Sequence, residues 1–227
     1  MRKDWGFVAL GFVLLAIGHG LGLFWAPPEA MMGETGRIFY VHVPTAWVCL
    51  VMFLVAFGCA VMMLWTGNRK WDARATGYVE VGTVMNVMLL YQGSIWAKPT
   101  WGVFWTWDPR LTTAAVMAVT FAGVLVLRKL VEDVERRSTA FAVATVIAFV
   151  NVPVVYFSVK WWRTLHQDMS SPSTVDQIMH WPLRTSAFGM LFLGIGLAMV
   201  RAHVERKRIA LEDEAPDLPP VPTPLEV

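Results

Sequence analysis

Apolar residues in this chain gather into long runs, without the strict alternation of a half-buried strand or the narrow stripe of a surface helix. Six stretches, approximately 6–25, 42–65, 77–96, 111–130, 138–158 and 183–202, approach the roughly 20 largely apolar residues that a membrane-crossing helix needs. In lipid every backbone polar group must find its partner within the chain, so each run predicts a transmembrane helix. The expected fold is all-α, a polytopic integral membrane bundle of six transmembrane helices. The first run follows Arg2 and Lys3 as a signal peptide would, but it is longer than a typical h-region. Pro27 and Pro28 follow it without a small-residue cleavage site, so it reads as an uncleaved anchor.

Lysine and arginine orient the bundle. With the N-terminus inside, 13 of the 19 basic residues fall in inner segments, in clusters at 2–3, 69–74, 128–137 and 201–208. The remaining six, Arg37, Lys98, Arg110, Lys160, Arg163 and Arg184, fall in three outer loops. Both termini are therefore expected in the cytoplasm. The membrane domain is expected to cover residues 1–205. The acidic, proline-rich stretch 206–227 reads as a largely disordered cytoplasmic tail, because proline neither propagates a helix nor donates to a sheet.

Composition agrees with lipid as the solvent: 56% of the 227 residues are hydrophobic and 16% are charged. A net charge of +2, carried in short separated clusters, argues against nucleic acid as a partner. Cys49 and Cys59 lie in one apolar run, separated by about 15 Å if helical, which excludes a disulfide between them and forms no CxxC pair. No GxxxxGK[ST] phosphate loop occurs, so any ATP hydrolysis linked to this chain belongs to another subunit. Asn86 and Gln92 read as helix-to-helix hydrogen-bonding groups, and Glu80 lies near the inner end of its span.

Tryptophan changes the picture. Of 12 tryptophans, nine lie in or beside the outer segments. An interfacial aromatic belt accounts for Trp5, Trp25, Trp65 and Trp96 but not for WGVFWTWDPRLT, residues 101–112. There Trp101, Trp105 and Trp107 offer wide, stiff apolar faces, and Gly102 admits close approach of a ligand or backbone. Asp108 followed by Pro109 reads as a helix N-cap, and Arg110 supplies a planar fork suited to carboxylates. The set suits a flat apolar ligand with carboxylate tails, the shape of a porphyrin.

Five histidines are present. His42 opens the second span and His166 follows Trp161 and Trp162 in the third outer loop, so the two can clamp a haem iron as axial ligands. The plainer alternative is that each is an ordinary interfacial histidine. His180 is a reserve ligand, His19 reads as a packing residue, and His203 falls on the cytoplasmic side.

At this point the residues resemble a known family. The tryptophan loop, placed at 97–110, resembles the WWD signature of haem-handling membrane proteins. Over roughly residues 1–205 the chain is similar to the CcmC family, haem exporter protein C of cytochrome c maturation system I. GRIFYVHVPTAW and SVKWWRTLHQ stand in the expected outer segments. The larger haem lyases share the signature but have many more spans. The resemblance implies a multi-pass protein of the bacterial inner membrane that binds haem b (iron protoporphyrin IX) at the periplasmic face. It implies presentation of that haem to the chaperone CcmE, whose own histidine becomes joined to a haem vinyl group. It also implies the ABC transporter subunits CcmA and CcmB and the small membrane protein CcmD as partners. The family's axial histidines map onto His42 and His166, and its WWD residues onto Trp101, Gly102, Trp105, Trp107, Asp108 and Arg110. Pro109 departs from the smaller residue common there, a change that suits a helix start.

The expected arrangement rests haem at the outer boundary with iron between His42 and His166, the tryptophan loop against the ring, and Arg110 with Arg37 neutralising the propionates. Trp161 and Trp162 would close over the ring. Two alternatives stand beside it. A b-type electron-transfer cytochrome would bury its imidazoles in facing helices. A transporter would show repeats and midplane polar sites, of which the sequence offers no clear example.

Overall fold

The computed structural model describes residues 2–167 and 175–214, and these are helical with no strand. In chain order the helices are α1 (Arg2–Gly20), α2 (Phe39–Thr66), α3 (Arg69–Trp101), α4 (Pro109–Leu130), α5 (Val134–Phe149), α6 (Asn151–Trp161) and α7 (Gln177–Glu214). A π-helical turn, Leu21–Trp25, extends α1, and a 3-10 turn, Glu34–Ile38, leads into α2. Local chemistry sets the ends. Gly67 takes φ 64° to close α2. Asn68, Asp108 and Asp133 cap α3, α4 and α5 by accepting backbone N–H groups from the residues that follow. α5 and α6 form one rod broken at Val150, where Pro153 has no N–H to give the Phe149 carbonyl.

All six predicted apolar runs fall on helix. Among the described residues, five helical stretches are long and apolar enough to cross a membrane: Lys3–Trp25, Glu34–Thr66, Pro109–Leu130, Val134–Trp161 and Gln177–Glu214. The expected span 77–96 lies inside α3, where Asp72, Glu80, Asn86 and Gln92 dilute the apolar character. α3 is packed against α2, α4 and α7, and two of its polar groups find protein partners there: Asn86 Nδ2 donates to the Ala114 carbonyl, and Glu80 pairs with Arg201. α7 continues past the expected domain boundary at 205 as far as Glu214. Glu212 and Asp213 explain the extension, since they pair with Arg137 and Arg69 of the neighbouring helices. The remainder of the expected tail, 215–227, lies outside the described residues.

α1 lies antiparallel to α7 through reciprocal glycines. A Cβ on Gly11 would come within 2.5 Å of the Leu193 backbone nitrogen, and one on Gly196 within 2.8 Å of the Val8 nitrogen, so small residues are what allow the two backbones to meet. The bundle core holds Met52, Val79, Met117 and Phe141, with Phe53 and Phe121 stacked at 3.7 Å. Cys49 and Cys59 are buried free thiols.

The two ends of the bundle differ in chemistry. At one end meet the start of α3, the end of α4, the start of α5 and the late turns of α7. There Arg128 forks onto Asp72 at 2.7 and 2.9 Å and reaches Glu205 at 2.7 Å, while Ser138 also donates to Asp72. At the other end the start of α2, the end of α3, the start of α4 and the end of α6 carry histidine and tryptophan.

Candidate functional site

A groove enclosing about 930 Å³ of open space lies at this second end, between α2, α3, α4 and α6. Helical spacing builds its walls. His42, Ala46 and Leu50 stand four residues apart on one face of α2; Leu89, Gly93 and Trp96, spaced by four and then three, share one face of α3. Trp105, Arg110, Tyr156, His166 and Gln167 complete the lining. A smaller groove of about 420 Å³ shares His42, Gly93, Trp96, His166 and Gln167 and runs on to Thr100 and Trp101. The two histidines, 124 positions apart by their numbers, therefore face common space.

His42 is buried, and its Nδ1 has no hydrogen-bond partner. Such an orphaned ring nitrogen is costly in a closed apolar site. Trp96 meets its ring edge to face at 5.5 Å, and only the missing side chain of Gly93 leaves room, since a Cβ there would lie 3.1 Å from Cε1. His166 sits in the loop after α6, with Nδ1 2.8 Å from the Gln167 carbonyl. A carbonyl can only accept, so that nitrogen carries the proton and Nε2 keeps its lone pair. Burial holds the His166 ring below its ordinary pKa of 6.5; the Gln167 carbonyl pulls the other way, by less. The ring is thus neutral at pH 7, the form a metal requires.

Asp108 does more than cap α4. Its carboxylate accepts the Arg110 N–H at 2.9 Å, the Thr164 hydroxyl at 2.7 and 2.8 Å, and the Leu165 N–H at 2.7 Å. Arg110 lines the groove while its Nη1 donates to the carbonyls of Val155 and Tyr156 in the middle of α6. Gly102 takes φ 80°, a left-handed turn that suits glycine, and ends α3 so that the chain can double back through Trp105.

The remaining predicted site residues are placed elsewhere. Trp107 is 83% exposed and touches the groove only through its edge contact with Trp105. Trp161 and Trp162 are exposed, packed on each other and on Phe157, and line neither groove. Arg37 donates to the carbonyls of Gly22 and Ala26 and pairs with Glu34, tying the π-helical turn to the 3-10 turn; it too lines neither groove. His180 is bonded to the Val175 carbonyl. Sequence reasoning missed Trp47, Gly93, Trp96, Tyr156 and Gln167. Trp96, ascribed to an interfacial belt, instead packs on His42; its i, i+3 relation to Gly93 was the available signal.

Among the described residues no group of three or more His, Cys, Asp or Glu stands close enough to hold a bare metal ion. A porphyrin brings its own ring nitrogens and asks the protein only for axial ligands. Two histidines, apolar indole walls and one arginine fit that demand.

Comparison with known proteins agrees with this chemistry. The model of the family described as "Heme exporter protein C" matches residues 3–214. The chain is similar to the protein named "Heme exporter protein C" in Bradyrhizobium diazoefficiens, 33% identical over 203 residues, 87% of this chain and 77% of the relative. The protein of that name in Haemophilus influenzae is 34% identical over 205 residues, 88% and 82% of the two chains. A "Putative cytochrome c biosynthesis ccmC-like mitochondrial protein" of Marchantia polymorpha is 33% identical over 172 residues, 75% and 71%.

Proposed function

The chain belongs to the heme exporter protein C family, and from this premise we propose that it holds haem b at the periplasmic face of the bacterial inner membrane and presents it to the chaperone CcmE. Its coarser role is haem handling in cytochrome c maturation, in a multi-pass membrane protein. The observation that carries the finer reading is the convergence of His42 and His166 on one groove walled by Trp96 and Trp105.

Haem is the cargo here, and each residue has a task toward it. His42, on the rigid first turns of α2, and His166, neutral and with its Nε2 lone pair free, act as axial ligands. Trp47, Trp96, Trp101 and Trp105 cover apolar ring surface, where water would otherwise have to be displaced without gain. The N–H groups that Arg110 does not spend on the α6 carbonyls neutralise a propionate, which would be costly to bury alone. Gly102, Trp107 and Asp108 shape the loop beside the groove. Holding the ring this way leaves a vinyl-bearing edge for the chaperone's histidine, so the contribution is one of orientation. ATP hydrolysis by CcmA with CcmB, and the presence of CcmD, serve release of the loaded chaperone.

The test is co-expression with the chaperone, with and without the ABC subunits, followed by haem staining of a denaturing gel. A covalent haem band on the chaperone that requires this protein and disappears with His42→Ala and His166→Ala is the expected result. A band independent of this protein, or haem content and visible spectrum unchanged in both variants, overturns the proposal.

A further inference from the structure

Four helices bring side chains to the groove, but His166 is carried by a loop, and a ligand on a loop is positioned only as well as the loop is held. Among the described residues, one carboxylate ties this loop to α4. The Asp108 carboxylate, 7% exposed, accepts the Thr164 hydroxyl and the Leu165 N–H, and the Thr164 oxygen in turn accepts the His166 N–H at 3.0 Å. The same carboxylate fixes the first turn of α4 through Arg110, whose guanidinium is bonded to the carbonyls of Val155 and Tyr156 in α6. A closed circuit results: α4 start, histidine loop, α6 and back to α4. Charged acceptors make the strong members of such networks. An N-cap needs one of the three donors; the other two, the Thr164 hydroxyl and the Leu165 N–H, come from the loop.

We propose that Asp108 is a positioning residue that sets the imidazole of His166 in the groove through Thr164 and Leu165, and that it does not itself touch the ligand. This rests on His166 being an axial ligand, and it changes the meaning of the WxWD run: its tryptophan contributes groove wall and its aspartate reaches across to a histidine 58 positions later.

The whole protein in nanodiscs supplies the test, with Asp108→Asn, Thr164→Val and Thr164→Ser. Asp108→Asn keeps an oxygen for the α4 cap but puts a donor where the loop needs an acceptor. Thr164→Val leaves the carboxylate and the cap intact, so it folds even if the first variant does not. Without ligand, amide hydrogen exchange should rise at least about tenfold at Leu165 in Asp108→Asn and at His166 in Thr164→Val, the scale of losing the hydrogen bond each amide makes. Thr164→Ser should restore slow exchange. With haem added, the first two variants should lose the six-coordinate low-spin spectrum and regain it in millimolar imidazole, as His166→Gly should. Unchanged exchange, or fast exchange with an unaltered haem spectrum, overturns the proposal. If the parent protein's spectrum does not depend on His166, the ligand assignment fails, while the exchange data still report whether the loop is held by Asp108.

Discussion

The ring of Trp96 meets the ring of His42 nearly at a right angle, 74° between planes with centroids 5.5 Å apart. One residue is near the end of α3 and the other near the start of α2, so the contact joins the two helices where the groove opens between them. The indole fixes the imidazole without hydrogen-bonding to it. Trp96→Leu should keep the fold and weaken haem retention about fivefold, the factor that about 1 kcal/mol of aromatic pairing corresponds to. Haem titration of the purified protein measures it. Unchanged affinity would remove Trp96 from the site.

Gly93 stands behind the same imidazole. A Cβ there would sit 3.1 Å from His42 Cε1, tight enough that the ring must yield. Gly93→Ala should lower haem content modestly. Gly93→Val should displace the ring, at an overpacking cost of about 1–3 kcal/mol, and should give a spectrum like that of His42→Ala. Thermal unfolding checks that the bundle survives, since the groove beside the ring can take up the strain.

Much of this was legible in the sequence, and the rest was hidden for physical reasons. Apolar runs of helix-spanning length are a one-dimensional signal, so all six helical rods could be read directly. The pairing of His42 with His166 was read from residue type and side of the membrane. Trp96 was not, because a tryptophan near a helix end reads as belt whichever way it turns; only the neighbouring Gly93 distinguishes an inward face. Arg37 was read as a propionate partner from its charge alone. Its bonds to Gly22, Ala26 and Glu34 depend on how the chain between α1 and α2 folds back, and no periodicity encodes that. Asp108 was recognised as a cap, but its reach to Thr164 is a contact between segments that only the packed bundle creates.

Haem ligation by His166 should resist mild acid. Burial disfavours the charged imidazolium, so the folded pKa lies below the ordinary 6.5. The unfolded loop then takes up its proton first as pH falls, and the stability this histidine contributes is complete above about 6.5 and diminishes below it. The neutral ligand form persists through the usual histidine range and is lost only at more acid pH. In the ligand-free protein, nuclear magnetic resonance of labelled histidine should place the His166 midpoint below the ordinary 6.5. A midpoint at or above 6.5 contradicts the burial argument.

The ion network at the opposite end of the bundle should behave as a unit. Arg128 is buried, holds Asp72 through both carboxylate oxygens, reaches Glu205, and lies over the Phe141 ring at 4.6 Å. Removing the cation alone leaves buried Asp72 without its cation and leaves buried Glu205 only the more distant Arg208, 3.6 Å away. Arg128→Met should therefore destabilise the protein by about 3–5 kcal/mol, the usual cost of an uncompensated buried charge. Adding Asp72→Asn and Glu205→Gln to Arg128→Met removes those negative charges, so the triple variant should recover a large part of that loss even though it makes fewer contacts. Ser138, which donates to Asp72, retains an acceptor in the asparagine oxygen. Because the network lies at the other end from the groove, haem affinity should follow the folded fraction in each variant and show no separate effect. Unfolding in mixed micelles, monitored by helicity and by bound haem together, measures both. Equal destabilisation in the single and triple variants would mean that hydrogen bonding, and not charge balance, is what the network contributes.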